Sequence, residues 1–483
     1  MNNSRNHVQT KLLWLLTLIA ISLSLLSSCL SQREEDNGET PPYVASSKEE
    51  ILANVSASLA IDCEQYLTVA EYLTAWGISY FDSDKFEFFE LRFNAIYNYE
   101  GGMPGAKQHA KDAVEMFLEE YYDGIDKTDV TETTNALLSC YVETLNDPYA
   151  VYRPPVEADD YQTDMSGKFG GIGVVIEYND KDETIQVTTV YLDSPAEKAG
   201  IMVGDYIYAI GGITVEEIGY RNAVYHIRGE IGTSVELTLL RDGEYLKVNA
   251  VRDEVEETNV AFSFDEESKI GYVEVASFKD NTFDQFKKSV DALEELGAKG
   301  IIFDLRGNPG GYVYSVCDVL SYLIPSGHTI VSYQYKGQLM TELQSEADVK
   351  GENGAEDVDH AINVPIVVIC NEYTASSGEI FTAAVRDYRD SKLLKATIVG
   401  TTTYKKGIMQ NTYTYVDGSS ATFTVAYYNP PCGINYHGVG VSPDVKVELP
   451  EAERDPETGD LLPVNDTQLE AAIEEMNKLI NAK

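Results

Sequence analysis

Basic residues are scarce in this sequence, with 36 lysines and arginines against 79 aspartates and glutamates and a formal net charge of −43. A surface of that sign repels phosphate groups, which argues against nucleic acid as a partner. Apolar residues nevertheless make up 43% of the 483 positions. That is enough for packed cores and too much for a wholly disordered chain, and the length allows roughly two to four domains.

Cysteine and histidine are also few, and neither follows a spacing typical of a metal or redox site. The six cysteines include no C-x-x-C pair and the six histidines no H-E-x-x-H pair, which argues against a cysteine-based zinc or redox site and against a metalloprotease. No G-x-S-x-G surrounds any serine, so a Ser–His–Asp hydrolase has little support, with His437 as its best histidine. No metal or cofactor is expected.

The first residues are typical of an exported protein. Basic residues precede an apolar stretch, Leu12–Leu26, and the sequence L-S-S-C then ends at Cys29. This pattern predicts a signal peptide over residues 1–28, since the apolar stretch is short for a membrane span. The ending resembles a bacterial lipobox, which implies that a lipid on Cys29 anchors the protein to the outer face of the cytoplasmic membrane. Ordinary cleavage and an uncleaved anchor are the alternatives.

The residue pattern changes several times along the remaining chain. Strands and helices alternate in its second half, and this order predicts an α/β layered domain. The regions predicted are an acidic tether at 29–47, a helical N-terminal domain at 48–150, a glycine-rich β segment at 167–253, the α/β domain at 260–450, and an acidic tail with a short helix at 451–483.

The segment at 167–253 resembles a PDZ domain. A glycine-rich entry is followed by strands, a short helix, a second helix and a strand that ends at an Asp-Gly turn, in the order typical of that family. The resemblance implies that the loop Gly171, Ile172, Gly173 and Val174 presents backbone N–H groups to the terminal carboxylate of a peptide. An edge strand then accepts the peptide by strand addition.

Glycine or polar residues follow three buried strands, where open α/β sheets bind their ligands. A Pro-Gly-Gly turn frees N–H groups for an oxyanion site, and a serine at a strand-to-helix junction lies at the positive end of the helix dipole. An ordinary turn, a helix N-cap and two solvated lysines are the alternatives. The segments are 304–311 (DLRGNPGG), 371–379 (NEYTASSGE) and 400–410 (GTTTYKKGIMQ).

In this order, with N-D-P-Y at 146–149 before them and V-G-V-S-P-D at 439–444 after them, the three segments resemble the C-terminal processing peptidases, or tail-specific proteases. The resemblance implies an α/β multidomain fold with a helical N-terminal region, a PDZ domain and a crotonase/ClpP-like catalytic core. It also implies serine endoproteolysis. Ser376 matches the nucleophile, Lys406 the general base, and Gln410 a neutral partner that orients the lysine.

The same resemblance assigns supporting roles. A lysine acts as a base only where desolvation disfavours its charge, and a glutamine partner suits that need. Arg228 lies in a family-like segment and is a candidate sensor of the bound carboxylate, with a structural salt bridge as the alternative. The oxyanion donors implied are the N–H of Ser377 and one N–H of the Gly310-Gly311 turn, and the supporting polar positions are Asp304, Arg306 and Glu379.

The sequence departs from the family pattern at three places. Ser377 replaces an alanine and is a rival nucleophile, while Lys405 replaces a glycine and is a second candidate base. The spacing from Ser376 to Lys406 is also several residues longer than usual, with the excess at 389–395. We expect this excess to lengthen a surface turn. If it displaced Lys406, the enzyme would be inactive.

The function predicted is that of a membrane-anchored serine endopeptidase, outside the cytoplasm, that cleaves proteins near accessible C-termini captured by the PDZ domain. The alternative is a catalytically silent PDZ lipoprotein that binds peptide C-termini. The sequence leaves a homodimer open.

Overall fold

The computed structural model describes residues 47–59, 69–78, 80–86, 106–145, 147–179, 184–335, 338–344, 360–450 and 464–482. The predicted signal peptide, Cys29, nearly all of the tether and Asn146 lie outside these ranges. Within them, no helix combines the length and the apolar character that crossing a membrane requires. The described residues form two compact units, one up to Asp159 with Ile408–Ala426, and one from Asp160 to Gly407 with Tyr427 onward.

The helices of the described residues are, in chain order, α1 Lys48–Leu59, α2 Val69–Ala75, α3 Ala106–Glu120, α4 Val130–Glu143, α5 Pro155–Ser166, α6 Pro195–Lys198, α7 Val215–Ile227, α8 Thr282–Glu295, α9 Val313–Leu323, α10 Ser377–Asp390 and α11 Thr467–Asn481.

The strands are β1 Val151–Arg153, β2 Lys168–Gly171, β3 Val174–Asn179, β4 Thr184–Val190, β5 Tyr206–Ile210, β6 Ile213–Thr214, β7 Ser234–Arg241, β8 Glu244–Val251, β9 Asp253–Glu256, β10 Val260–Asp265, β11 Ile270–Val275, β12 Gly300–Asp304, β13 Thr329–Tyr335, β14 Gln338–Gln344, β15 Ile366–Cys370, β16 Ala396–Gly400, β17 Ile408–Thr414, β18 Ser420–Asn429 and β19 Val445–Lys446.

The first unit is mainly helical. Asp129 is the N-cap of helix α4, and its carboxylate accepts two N–H groups of the first turn. The apolar face of α4 packs with α2 and α3 around the buried Trp76. Strand β1 pairs antiparallel with the start of β18. Phe423 of β18 belongs to the same core. The segment 408–426 falls inside the predicted α/β domain, but it groups with the first unit, and its Tyr413, Tyr415, Ala421 and Phe423 pack in this helical core.

In the second unit, β3, β4, β5, β7 and β8 form one sheet in that order, with β6 on β5. Helix α7 covers a core of aliphatic side chains that alternate along β4 and β7. Strand β3 lies at the edge of the sheet. The chain enters this domain through β2 and leaves it through β9, and these two strands pair antiparallel from Lys168–Glu256 to Gly171–Asp253.

The second sheet of this unit has the order β10-β11-β12-β15-β16-β19, and all its pairs except β10–β11 are parallel. Strands β12 and β15 are buried at every residue, as continuous apolar runs predict. Helix α11 packs on the sheet through Met476, close to Gly300, where a Cβ would lie 2.2 Å from the Met476 sulfur. The predicted α/β multidomain fold is confirmed.

Candidate active site

The candidate nucleophile lies in a strained turn between a strand and a helix. Strand β15 ends at Cys370 and α10 begins at Ser377, and Ser376 between them has φ 52° and ψ −116°. An L-residue with a side chain rarely adopts such a backbone, which costs on the order of 1–3 kcal/mol and is concentrated at functional sites. The turn therefore places Ser376 at the N-terminal end of the α10 dipole.

The rival serine has a different environment. Ser377 is completely buried, and its hydroxyl donates a hydrogen bond to the Gly311 carbonyl at 2.9 Å. A hydroxyl committed to a backbone acceptor and shielded from solvent is poorly placed to attack a substrate. The geometry therefore favours Ser376 as the nucleophile, and Ser377 joins the serine turn to the Pro-Gly-Gly turn.

The Pro-Gly-Gly turn packs directly against the serine turn. A Cβ on Gly310 would lie 2.7 Å from the Ser376 Cβ, and one on Gly311 would lie 2.1 Å from the Phe278 carbonyl oxygen. The Asn308 side-chain oxygen Oδ1 accepts a hydrogen bond from the Gly310 N–H at 2.8 Å. Among the described residues, the N–H groups of Ser377 and Gly311 have no acceptor. These two N–H groups are therefore available for the predicted oxyanion role.

Glu379 joins the candidate nucleophile to the candidate base. Its carboxylate is fully buried and accepts four hydrogen bonds, from Ser376 N–H at 3.1 Å, Thr403 Oγ1 at 2.5 Å, Lys405 N–H at 2.7 Å and Lys406 N–H at 2.7 Å. Burial raises the pKa of Glu379, while these four hydrogen bonds oppose the rise. The carboxylate therefore holds two distant chain segments together, a larger role than the sequence suggested.

The two adjacent lysines differ in exposure and backbone. Lys405 is exposed and has φ 86°, a left-handed conformation that suits the glycine of the family pattern. Lys406 is half-buried, and its carbonyl accepts the Tyr428 hydroxyl at 2.6 Å. The same hydroxyl lies 3.4 Å from Ser376 Oγ. Exposure thus favours Lys406 over Lys405 as the base.

The extra residues between the serine and the lysine are absorbed locally. Residues 389–395 form the end of α10 and a mostly exposed turn. Strands β15 and β16 remain in parallel register, from Ile366–Ala396 to Cys370–Gly400. The parallel pairing that leads toward the lysines is therefore continuous after this turn.

Gln410 belongs to the first unit. Its amide donates to Thr424 Oγ1 at 3.2 Å, and Thr424 in turn donates to the Asp147 carboxylate at 3.1 Å. The hydrogen bond from Gln410 to Lys406 stays a prediction.

Asp304 and Arg306 form a structural network at the end of β12. The Arg306 guanidinium donates to both oxygens of Asp304 and to both oxygens of Asp466, the N-cap of α11. Tyr272 also donates to Asp304. Burial alone would lower the pKa of Arg306, but the two carboxylates raise it. Both residues therefore attach α11 to the sheet and do not reach the serine turn directly.

The PDZ loop has the geometry expected of an anion-binding turn. Gly173 has φ 76°, and a Cβ there would lie 2.5 Å from the Ser194 Cβ. The carbonyls of Ile172 and Gly173 accept hydrogen bonds from within the domain, whereas neither N–H donates to another described backbone group. Gly171 ends β2 and Val174 begins the edge strand β3. The loop can therefore offer N–H groups to a carboxylate.

Arg228 lies beside this loop. Its guanidinium stacks 4.0 Å above the Phe169 ring and forms no ion pair with the described residues. The neighbouring Gly229 N–H donates to Gly170 in β2. The salt bridge considered as the alternative is therefore not formed within these residues.

The sequence did not predict which residues bind the backbone of Lys406 and Gly407. Tyr428 lies in an apolar strand, and nothing in its local pattern signals a polar role. Asn435 donates to the carbonyls of Gly407 and Tyr428, and His437 Nδ1 accepts the Gly407 N–H at 3.3 Å. The only available signal was their proximity to the closing V-G-V-S-P-D segment.

Comparison with known proteins identifies the family of this chain. Peptidase family S41 matches residues 269–447, and the PDZ domain family matches residues 186–241. The carboxy-terminal processing protease CtpA of Bacillus subtilis is 33% identical over 340 residues, 70% of this chain and 68% of its own. The chain belongs to the S41 family of carboxy-terminal processing proteases.

Two further relatives extend the comparison. A protein of Staphylococcus haemolyticus named "Probable CtpA-like serine protease" is 31% identical over 69% of this chain, and the match spans 63% of that protein, a little under two thirds. The solved structure of a photosystem II D1 C-terminal processing protease aligns with 81% of this chain and 97% of its own, with 23% identity and a TM-score of 0.43.

Proposed function

We propose that this protein is a serine endopeptidase that cleaves proteins near their C-termini, with Ser376 as nucleophile and Lys406 as general base. The observation that carries the proposal is the buried Glu379 carboxylate, which ties the strained serine turn to the backbone of Lys406. A structural helix cap needs only the local half of this contact. The second half, to a segment 27 residues away, supports a catalytic pairing.

The chemistry follows from the atoms around the serine. Ser376 Oγ attacks the scissile carbonyl carbon, and its proton passes to the neutral amine of Lys406. The carbonyl oxygen becomes an oxyanion that the N–H groups of Ser377 and Gly311 receive, aided by the α10 dipole. The ammonium then gives its proton to the leaving amine. Water hydrolyses the acyl-enzyme with the same lysine as base.

The PDZ domain supplies substrate capture in this proposal. A free peptide C-terminus carries a carboxylate, which the Ile172 and Gly173 N–H groups can bind. The Arg228 guanidinium, which forms no ion pair with the described residues, adds a positive charge beside them. Edge strand β3 offers backbone groups for an extended peptide. Substrates with accessible C-termini are the partners that this arrangement fits.

We also propose that the PDZ domain gates the oxyanion turn, because one loop contacts both. Lys279 forms ion pairs with Asp164 and Glu257, which flank the PDZ domain, at 3.1 and 2.8 Å. The preceding Phe278 donates its N–H to the Gly310 carbonyl at 2.8 Å and accepts the Tyr312 N–H at 2.7 Å. A shift of the PDZ domain can therefore reach the Pro-Gly-Gly turn through two adjacent residues, Phe278 and Lys279.

A fluorescence-quenched peptide with a free C-terminus tests the proposal. Ser376→Ala and Lys406→Ala are expected to abolish turnover, and a serine-reactive electrophile is expected to label Ser377→Ala but not Ser376→Ala. Amidation of the substrate's C-terminus is expected to raise KM because it removes the charge that the loop binds. Turnover by either alanine variant at position 376 or 406 would refute the mechanism. Carboxylate-dependent binding without any turnover would leave a peptide receptor.

The lipid anchor on Cys29 and the extracytoplasmic location are part of the same proposal. They are supported by the L-S-S-C sequence at the end of the apolar stretch. Mass spectrometry of the mature N-terminus is expected to find a diacylglyceryl cysteine. An unmodified secreted N-terminus, or an intact Met1, would refute the anchor.

A further inference from the structure

Tyr428 is buried in the second unit and contacts both partners of the proposed catalytic pair. Its side chain is 1% exposed. Its hydroxyl lies 2.6 Å from the Lys406 carbonyl oxygen and 3.4 Å from Ser376 Oγ. A single oxygen atom thus lies between the backbone of the base and the side chain of the nucleophile.

The position of that oxygen is set by several backbone contacts. Tyr428 N–H donates to the Gly407 carbonyl at 3.3 Å, and Asn435 donates to both the Gly407 and Tyr428 carbonyls. Tyr428 also pairs with Tyr333 across β13 and β18. These contacts hold the Tyr428 ring against the segment that carries the proposed base.

The hydrogen-bond roles follow from the number of protons. A phenol carries one proton, and a carbonyl oxygen can only accept, so the Tyr428 proton lies toward Lys406. The Tyr428 oxygen then faces Ser376 with lone pairs. The 3.4 Å between the two oxygens is longer than an ordinary O–H···O hydrogen bond, so the serine proton stays available to the base, and the Tyr428 hydroxyl limits by contact where Ser376 Oγ can turn.

We propose that Tyr428 is a positioning residue, which holds the Lys406 segment close to the serine turn and limits the positions that Ser376 Oγ can take. This inference rests on the proposed Ser376–Lys406 chemistry. Tyr428 exchanges no proton with substrate. In the plain structural alternative, the hydroxyl serves only as a buried polar group satisfied by the Lys406 carbonyl.

Tyr428→Phe separates these two roles, because it removes the oxygen and keeps the ring. Loss of positioning is expected to lower kcat by about 10–100-fold with KM nearly unchanged, and to slow labelling of Ser376 by the serine-reactive electrophile equally. The acidic limb of the kcat/KM profile is expected to move to higher pH, since a less confined Lys406 is better solvated and its charged form is less disfavoured.

Tyr388→Phe is the matched control. Tyr388 lies in the same unit, on helix α10, which Ser376 precedes. Its hydroxyl also donates to a backbone carbonyl, that of Thr329. Both variants lose one such hydrogen bond and are expected to lose about 1 kcal/mol of stability. Only Tyr428→Phe is expected to change kcat and the pH profile. Turnover is expressed per molecule that the serine-reactive electrophile labels at Ser376 when labelling is complete, so that unfolded molecules do not lower the measured kcat.

The outcomes separate this inference from the function on which it rests. An inactive, unlabelled wild-type protein would refute the proposed function. An active wild type with Tyr428→Phe equal to Tyr388→Phe in kcat and pH profile would refute the positioning role alone. If Tyr428→Phe does not fold, Asn435→Ala tests the same connection, and unchanged labelling and pH profile in that variant would overturn the inference.

Discussion

The Glu379 carboxylate accepts the backbone N–H of Lys406 at 2.7 Å, and the same Oε2 atom accepts the N–H of Ser376 at 3.1 Å. One oxygen therefore binds the backbone of the proposed base and the backbone of the proposed nucleophile, and leaves both of their side chains available. Because the carboxylate is buried, each of its four donors would lose its partner without gaining water if the oxygens were replaced.

Glu379→Gln tests this connection. The amide places an NH₂ group against two N–H donors, so we expect a loss of about 2–3 kcal/mol in unfolding free energy and a large fall in kcat/KM. Denaturant unfolding and the quenched peptide assay measure the two. Glu372→Gln is the control, because that exposed carboxylate accepts only the Thr401 hydroxyl among described groups. Equal effects of both substitutions would contradict the role of Glu379.

Gly310→Ala tests the close approach of the two turns. Its Cβ would lie 2.7 Å from the Ser376 Cβ, so the serine turn must move. We expect a fall in activity of about 100-fold or more, measured as the labelling rate of Ser376. Gly307→Ala is the control in the same turn, since Gly307 has φ 72° but no atom within 4 Å of the added Cβ. It is expected to lose stability and keep its activity.

Lys405→Gly tests the left-handed backbone beside the base. Lys405 has φ 86°, so glycine is expected to raise stability by about 1 kcal/mol and to preserve turnover, since the proposed base is Lys406. Thermal unfolding and peptide turnover measure the two. Lys392→Gly provides a comparison at φ 63° in an exposed turn. Abolished turnover in Lys405→Gly would make Lys405 the better candidate base.

The lowered pKa of His109 is expected to make the stability of the first unit depend on pH. Burial lowers the pKa of His109 from 6.5 to about 4. Between pH 6.5 and about pH 4, the unfolded chain therefore binds a proton at this histidine and the folded unit does not. Stability is therefore expected to fall as pH decreases through this window, by up to about 3 kcal/mol. Fluorescence of the buried Trp76 in denaturant at pH 7 and pH 4.5 measures the change.

His109→Gln is expected to flatten that dependence, because the amide still donates to the Tyr141 carbonyl and does not titrate near neutral pH. The exposed His226 offers the matched substitution, His226→Gln. A slope that is the same in all three proteins would show that other groups cause the acid sensitivity.

Lys279→Met tests the proposed gating. The methionine keeps the aliphatic packing and removes the ion pairs to Asp164 and Glu257. We expect peptide binding to the PDZ domain to persist, while the difference in turnover between free and amidated C-termini shrinks. Calorimetric titration and the peptide assay measure the two. A full difference in turnover would show that this loop does not transmit the PDZ state.

Local patterns were enough to predict most of the second unit. The apolar runs that became β12 and β15 need burial on both faces, and the amphipathic pattern at 282–296 became α8 within one residue of its end. Motif order pointed to Ser376 and Lys406, since each follows a strand whose end lies at one edge of the sheet.

What the sequence could not predict depends on distant contacts. Glu379 looked like a local helix cap, because its donors at 403–406 are brought close only by folding. For the same reason, nothing in the local sequence indicates the contacts of Tyr428 with Lys406 and Ser376. The segment 408–426 reads as part of the α/β domain, and only tertiary packing assigns it to the helical core. The left-handed Lys405 had no signal except the glycine it replaces.

The antiparallel pairing of β2 with β9 brings the two ends of the PDZ domain to neighbouring positions. Such a domain behaves as a cassette, because its removal or exchange leaves a gap that a tight hairpin can close. Under the proposed function, a different peptide-binding domain joined to this two-stranded ribbon is therefore expected to change which C-termini are captured, while the residues proposed for catalysis stay in place.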